Sequence, residues 1–366
     1  MDDSGLVHLY LGRPTARVVL DTSQSMSIGR LRSVTAWGAS PIAAPYLPAS
    51  WRLHSRPGCA SVAGTLATEP GSMSLHNRQR GYSLEFFPPK TDAGRQRLLS
   101  TVQKLAPLRP SFVSVTFGAG GSTREGSFQT ASEIIRTTDL DVTPHLSCIG
   151  STRDQIAALL DTYRAIGVKR VVALRGDVPE TDASLPRAFA FANELVGFIR
   201  DYGGFDISVG AYPEFHPEAA TPEADVSNFV RKVRAGATEA ITQYFYSNDA
   251  YYRFVDWVRR LGVEIPIVPG IMPLTDFAQV ERFSKFCGAD IPAWIRKRMQ
   301  ALTGDARGQE ELGIELATRQ AEALLQNGVP GLHFYTLNRA EPTLRIWQNL
   351  GLAQSAVHMA AQASAN

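Results

Sequence analysis

The chain is poor in cysteine. Cys59, Cys148 and Cys287 lie far apart, and no C-x-x-C pair or H-E-x-x-H occurs, which argues against a zinc site or a redox dithiol. A sparse, odd cysteine count fits a reducing cytoplasm better than a disulfide-stapled secreted fold, so a cytoplasmic location is expected. Charge of one sign is equally scarce. With 37 Lys and Arg against 35 Asp and Glu the net charge is only +2, and neither nucleic acid nor a membrane surface is an expected partner. Long apolar runs are missing too: none approaches the ~20 residues that a bilayer-spanning helix needs. What the chain does have is core material, 44% hydrophobic residues in 366. That length suits two or three domains, or one long α/β barrel.

Residues 1–72 read differently from the rest. They are rich in Ser, Ala, Pro and Arg, hold few acidic residues, and show no helical or strand periodicity. Two explanations stand: an organellar leader, which Asp2, Asp3 and Asp21 oppose, or translation begun upstream of a start at Met73. Either way a disordered leader is expected over 1–72, a catalytic unit over 73–352, and an Ala-rich tail over 353–366.

From Tyr82 a rhythm sets in. Apolar, β-branched and aromatic runs recur at Tyr82–Phe87, Phe112–Gly118, Val142–Cys148, Arg170–Arg175, Asp206–Tyr212, Ala240–Tyr246, Ile267–Ile271 and Leu332–Leu337. Most are apolar at consecutive positions, as in parallel strands covered on both faces. Helical stripes fill the spaces: Arg153–Gly167, Ala224–Gly236 and Asn248–Gly262, each ending in a glycine suited to a C-cap. A longer connection, about Asp276 to Gly328, should hold two or three helices. Eight strand–helix repeats predict an α/β fold of one domain, a closed (β/α)8 TIM barrel, whose functional residues lie at the C-terminal strand ends.

That placement sorts the candidates. Glu85, between apolar Leu84 and Phe86-Phe87-Pro88-Pro89, is expected in poorly hydrated surroundings that raise its pKa and suit a general acid; a structural ion pair at the barrel floor is the other reading. Asp177 follows Arg175 and Gly176 at the fourth strand end, where it could hold a cation, accept from a ring N–H, or simply cap a helix. Gly118-Ala119-Gly120-Gly121-Ser122 lacks the third glycine of a dinucleotide fingerprint and is expected to be a loop at the barrel mouth. His145 and His216 end or follow the third and fifth strands on one rim. Asp225, Asn228, Arg231 and Lys232 share a helix face, either as solvated charge or as a ribose and pyrophosphate clamp. Gln243 carries an amide into an apolar strand, and Arg339 after the eighth strand can grip a carboxylate.

Glu85-Phe86-Phe87-Pro88-Pro89, Leu174-Arg175-Gly176-Asp177, Ala211-Tyr212-Pro213-Glu214, Ile291-Pro292-Ala293-Trp294 and Phe334-Tyr335-Thr336-Leu337-Asn338-Arg339, in this order, resemble the methylenetetrahydrofolate reductase family from about Tyr82 to Gly351. The resemblance implies FAD as cofactor, NADH or NADPH as reductant, methylenetetrahydrofolate as substrate, ping-pong use of one site, and a homo-oligomer serving methionine synthesis. Glu85 matches the acid that protonates N10 as the folate ring opens. Asp177 matches an aspartate beside the flavin pyrimidine. Thr116, His145, Arg175, Gly176, Tyr212 and His216 match flavin contacts, and Asp225, Asn228, Arg231 and Lys232 the ADP half of FAD. Gln243, Gln279 and Arg339 match folate contacts, and Phe283 an aromatic that stacks on either substrate. The short chain after the eighth strand leaves no room for the regulatory domain of the eukaryotic enzymes, so inhibition by S-adenosylmethionine is not expected. The alternative is another FAD-dependent barrel oxidoreductase, proline-dehydrogenase-like.

Overall fold

The computed structural model describes residues 80–117, 124–176, 186 and 188–352, together with the backbone of two N-terminal strands. Those two, Leu6–Tyr10 and Arg17–Asp21, pair antiparallel with Leu6 opposite Asp21 and Tyr10 opposite Arg17. No strand is expected there from the sequence, although Val7, Val18 and Val19 are β-formers. The remainder of 1–72, the glycine-rich loop after Phe117, Asp177 and the Ala-rich tail lie outside the described residues.

The second unit, from Ser72 onward, is built on strands β1 (Gly81–Phe86), β2 (Phe112–Val115), β3 (Val142–Ser147), β4 (Arg170–Leu174), β5 (Asp206–Ala211), β6 (Glu239–Thr242), β7 (Ile267–Val268), β8 (Gly270–Ile271) and β9 (Gly331–Tyr335). They run parallel in the spatial order β8-β9-β1-β2-β3-β4-β5-β6-β7. The order looks open, yet its two ends are consecutive in the chain. β7 and β8 are halves of one stave, parted at Pro269, which has no N–H to give to a ladder. β7 pairs with β6, and β8 pairs with β9. The result is an eight-stave barrel closed at the broken seventh stave, as the strand count predicts.

At the break, side chain replaces ladder. Gly270 N–H donates to Thr242 Oγ1 at 2.9 Å, and His333 N–H donates to the Pro269 carbonyl at 3.0 Å. A Cβ on Gly270 would lie 2.4 Å from the Thr242 carbonyl oxygen and 2.6 Å from the Tyr335 ring. Only glycine fits this approach of two staves.

Helices α1 (Asp92–Leu105), α2 (Arg124–Thr137), α3 (Arg153–Ala165), α4 (Ala192–Tyr202), α5 (Pro222–Ala235) and α6 (Asn248–Arg260) follow the first six strands. The long connection holds three more, α7 (Phe277–Cys287), α8 (Ala293–Ala301) and α9 (Ala306–Gln326), and α10 (Ala340–Asn349) follows β9. Starts are fixed by short polar side chains that satisfy free N–H groups: Thr91, Thr152, Thr221, Asp276 and Asp305 each accept from a first-turn amide. Gly167, Gly236 and Gly262, expected just past α3, α5 and α6, all adopt positive φ.

Strand parity separates two cores. Leu84, Phe86, Val113, Val115, Val171, Ala173, Leu332 and Phe334 belong to the larger cluster of the barrel wall and its helices, each at 0% exposure. Burial of one such Leu, Val or Phe contributes roughly 1.5–3 kcal/mol. The alternate positions face the lumen. Phe112, Val172 and Ile241, from the second, fourth and sixth staves, form their own small cluster, the layering that barrels show when alternate strands fill the interior. No helix among the described residues is long and apolar enough to cross a membrane.

Candidate active site

Parity also puts Glu85 in the lumen. Its neighbours Leu84 and Phe86 are fully buried in the wall, so Glu85 points inward near the C-terminal end of β1. There Oε2 lies 3.4 Å from His145 Nε2 of β3 and 3.4 Å from His333 Nε2 of β9. Ser114 Oγ of β2 donates to the same oxygen at 3.5 Å. The side chain keeps 17% exposure.

The expected rise in pKa is reversed. Burial pushes the Glu85 carboxyl up, but hydrogen bonds and charge from His145 and His333 outweigh it and hold the group down at about 2. The flanking phenylalanines do not set its surroundings: Phe86 turns into the wall and Phe87 is 37% exposed. The groups that do are far away in sequence. Glu85 is therefore a carboxylate between two imidazoles.

Around it the other candidates fall on the same rim or on the helices beside it. Thr116 stands just past β2 at 7% exposure. Its backbone is spoken for, since its N–H donates to Phe86 O and its carbonyl accepts from Ser127 Oγ. The hydroxyl Oγ1, by contrast, is buried with no partner among the described residues. Such an orphan costs free energy unless something answers it. Past β4, Arg175 is held by Glu218 in a two-pronged ion pair, Nη1 to Oε2 at 2.5 Å and Nη2 to Oε1 at 2.8 Å. Gly176 has φ +82°, and a Cβ there would strike Ser147 Oγ at 2.1 Å. Glycine at 176 is thus required on backbone grounds before any ligand is considered.

After β5, Tyr212 and His216 pack edge to face with centroids 4.6 Å apart. His216 N–H donates to Asp225 Oδ2 at 3.2 Å, and burial lowers the imidazole's pKa while raising that of the Asp225 carboxyl. The quartet on α5 is split by the fold. Asp225 is 8% exposed, and Lys232 Nζ reaches back to the Gly210 carbonyl of β5 at 2.5 Å, burial pulling the amine down to about 8. Asn228 and Arg231 remain exposed. The four thus line an edge running from the barrel wall to solvent.

Gln243 follows β6 with its carbonyl oxygen accepting the Tyr244 N–H at 3.0 Å. Gln279 and Phe283 sit four residues apart on α7, one helical face, with Phe283 42% exposed. Arg339 pairs with Glu310 of α9 at 2.5 Å. Among the described residues no group of three or more His, Cys, Asp or Glu side chains could hold a metal ion.

Several site groups are not among the sequence candidates. His333 hides in an aromatic run, and Ser83 in a tyrosine-containing strand. Their signal is period two: a polar residue between wall-facing Leu332 and Phe334 must face the lumen, and β1 and β9 align Ser83 with His333 and Glu85 with Tyr335. Asn338, at φ +57°, clasps Phe87 with both amide atoms, N–H to Oδ1 at 3.0 Å and Nδ2 to O at 2.8 Å, and so fixes the Phe-Pro-Pro turn after Glu85.

The mouth thus gathers a carboxylate between two imidazoles, a buried hydroxyl with no partner among the described residues, and two arginines tethered to carboxylates. The family model described as methylenetetrahydrofolate reductase matches residues 72–351. A Salmonella typhimurium protein named 5,10-methylenetetrahydrofolate reductase is 39% identical over 274 residues, covering 75% of this chain and 92% of that one. An Arabidopsis thaliana protein named methylenetetrahydrofolate reductase (NADH) 1 is 36% identical, over 75% of this chain and 49% of that one. Among solved structures, an uncharacterized Clostridium thermocellum protein, described as binding two copies of 5-methyl-5,6,7,8-tetrahydrofolic acid, superposes with TM-score 0.55 at 16% identity, over 77% of this chain and 97% of its own. At that identity it speaks for the fold alone. The sequence matches extend over every strand of the barrel and every rim residue described above, and by them the chain belongs to the methylenetetrahydrofolate reductase family.

Proposed function

We propose that this chain reduces 5,10-methylenetetrahydrofolate to 5-methyltetrahydrofolate with NADH or NADPH, using FAD held at the barrel mouth. The placement of Glu85, inward at the rim between His145 and His333, carries the reading, because opening of the folate ring needs a group at the mouth that can deliver a proton. The rim fits a flavin. Thr116 Oγ1 is a buried hydroxyl with no partner among the described residues, and Arg175, His216, Asp225 and Lys232 offer charged and polar groups to the phosphates and sugars of a dinucleotide. When bound, the flavin supplies the hydride chemistry linking nucleotide and folate.

The chain's own groups do the rest. Glu85 moves a proton to N10. Asp177 would favour the cationic one-carbon intermediate by its charge. Gln243, Gln279 and Arg339 would hold the folate, Arg339 exchanging Glu310 for a folate carboxylate, and Phe283 would stack on whichever substrate is present. One site used in turn gives ping-pong kinetics. The same reading takes 73–352 as the catalytic unit, in a cytoplasmic homo-oligomer supplying methyl groups to methionine.

Stopped-flow spectroscopy tests this in two halves: reduction of the flavin by NADH and by NADPH, then reoxidation by methylenetetrahydrofolate. Glu85→Gln should slow reoxidation by roughly 10²–10⁴-fold, the usual worth of a positioned acid, and leave reduction by the nucleotide nearly intact. Equal loss in both halves would refute the acid assignment.

A further inference from the structure

Two of the phrases that carry the family resemblance have an end with no part in the reaction as described so far, and in the fold those ends meet. Ala211-Tyr212-Pro213-Glu214 runs out of β5, and Ile291-Pro292-Ala293-Trp294 leads into α8. Glu214 Oε2 accepts the backbone N–H of Asp290, the residue before Ile291, at 2.9 Å. Beside this bond Gly288 ends α7 at φ +76°, its N–H returning to the Ser284 carbonyl. A Cβ on Gly288 would lie 2.8 Å from Pro217 Cγ and 3.6 Å from the Phe215 carbonyl oxygen. Residues 214–217 and 288–290 therefore touch twice, once by a hydrogen bond and once by a close approach that only glycine permits.

On one side of this contact stand expected flavin contacts. Tyr212 and His216 bracket Glu214, their rings 4.6 Å apart, and the His216 N–H is fastened to Asp225 of α5. On the other side is α7, which carries Gln279 and Phe283. The helix lies outside the main barrel core. Its Phe277 and Val280 belong to a smaller cluster with Tyr244, Ile291 and Ile295, and Tyr244 Oη meets Ser284 Oγ at 3.2 Å. A helix seated on so small a core takes much of its pose from the contacts at its ends. The loop, by contrast, is built to hold its shape. Phe215 adopts φ +67°, a left-handed backbone that strains a bulky residue and persists only where its surroundings fix it. Here the Phe215 N–H donates to the Tyr212 carbonyl at 3.1 Å, and its ring packs edge to face against Trp257 of α6, centroids 6.2 Å apart.

We propose that Glu214 is a positioning residue, a strut that sets the reach of Phe283 and Gln279 over the flavin by tying the end of α7 to the flavin loop. This rests on the reading of those residues as substrate and flavin contacts in the reaction proposed above. Both substrates take the same seat in turn, so one strut serves both half-reactions. It acts through α7 and not on the reacting atoms. Without it α7 shifts, and stacking and hydrogen bonds to a substrate weaken steeply with small displacements.

Glu214→Leu removes the acceptor for the Asp290 N–H, and Glu214→Gln keeps one. In stopped flow, Glu214→Leu should raise the substrate concentration for half-maximal rate roughly threefold to tenfold, the worth of one hydrogen bond, for nucleotide and methylenetetrahydrofolate alike. Limiting rates and flavin content should change by less than about twofold, the mark of lost ground-state binding. Glu214→Gln should recover most of the difference. Gly288→Ala attacks the same contact from α7 and should act as Glu214→Leu does, and the two combined should do little more than either alone. Unmoved half-maximal concentrations in Glu214→Leu would overturn the proposal, as would a fall in limiting rate alone. If Glu214→Leu fails to fold, the comparison of Gly288→Ala with Glu214→Gln decides: the first should be shifted well beyond the second, and equal behaviour would sink the strut. Phe283→Ala with both half-maximal concentrations unmoved would instead defeat the reading of α7 as the substrate helix, and the strut would fall with it.

Discussion

The two ends of the barrel are lined by the same staves, yet they treat charge in opposite ways. At the floor, charges are settled within the protein. Arg170 pairs with Glu239 at 2.8 Å and reaches Asp206 at 3.6 Å, Ser208 Oγ donates to the same Glu239 oxygen at 3.1 Å, and the guanidinium covers Phe112. At the mouth, polar groups are left in suspense. Thr116 Oγ1 has no partner among the described residues, and Arg175 and Arg339 are held by the carboxylates of Glu218 and Glu310 at 58% and 25% side-chain exposure, which a ligand can displace. Charge paired at the floor serves folding, and charge paired at the mouth lies where a ligand can reach it.

If this contrast holds, Glu85 at the mouth should also show in stability, through pH. Its carboxyl lies at about 2 in the folded protein against an ordinary 4.5. A depressed carboxyl contributes stability that is complete above the unfolded value and lost as pH falls through the folded one. The parent should therefore lose on the order of 2–3 kcal/mol relative to Glu85→Gln as pH falls across that window, read by denaturant unfolding at a series of acid pH values. A constant difference would mean the two histidines do not hold the carboxylate.

The floor offers the converse. Arg170→Met should cost about 2 kcal/mol of stability, because Glu239 loses its charged partner, while both half-reactions keep their rates. Altered reoxidation in a well-folded Arg170→Met protein would erase the line between the two ends. Smallest in effect is Thr116→Val. Removing an orphaned hydroxyl should leave folding stability unchanged or slightly higher, and weaken FAD binding several-fold, the worth of about 1 kcal/mol for one hydrogen bond. Calorimetry and flavin titration read both numbers, and lowered stability with unchanged affinity would show that the hydroxyl already has an internal partner.

How legible all this was in the sequence depends on the range of the interaction. The eight staves stand out because parallel strands are buried on both faces, and Val142–Ser147 or Arg170–Leu174 coincide with their apolar runs almost to the residue. Their ends are less visible: Ala240–Tyr246 reads as one strand, but the ladder stops at Thr242, since apolarity continues where pairing does not. Pro269 splits a run that looks continuous, by an absent N–H that only the ladder reveals. Glu85 is the instructive case. Its position at a rim follows from the fold class, but its ionisation is fixed by His145 and by His333, the latter 248 residues away, and local neighbours pointed the wrong way. Likewise Asp225 and Lys232 share spacing with Asn228 and Arg231, and only the docking of α5 on β5 turns two of them inward.

The broken seventh stave has one more implication. At Gly270 the hoop is fastened by a threonine hydroxyl instead of a backbone rung, so closure of the ring depends there on the identity of a side chain. Thr242→Val, which keeps the side chain's shape and removes its hydroxyl, would therefore leave the Gly270 N–H unanswered at the seam where the first six staves meet the last.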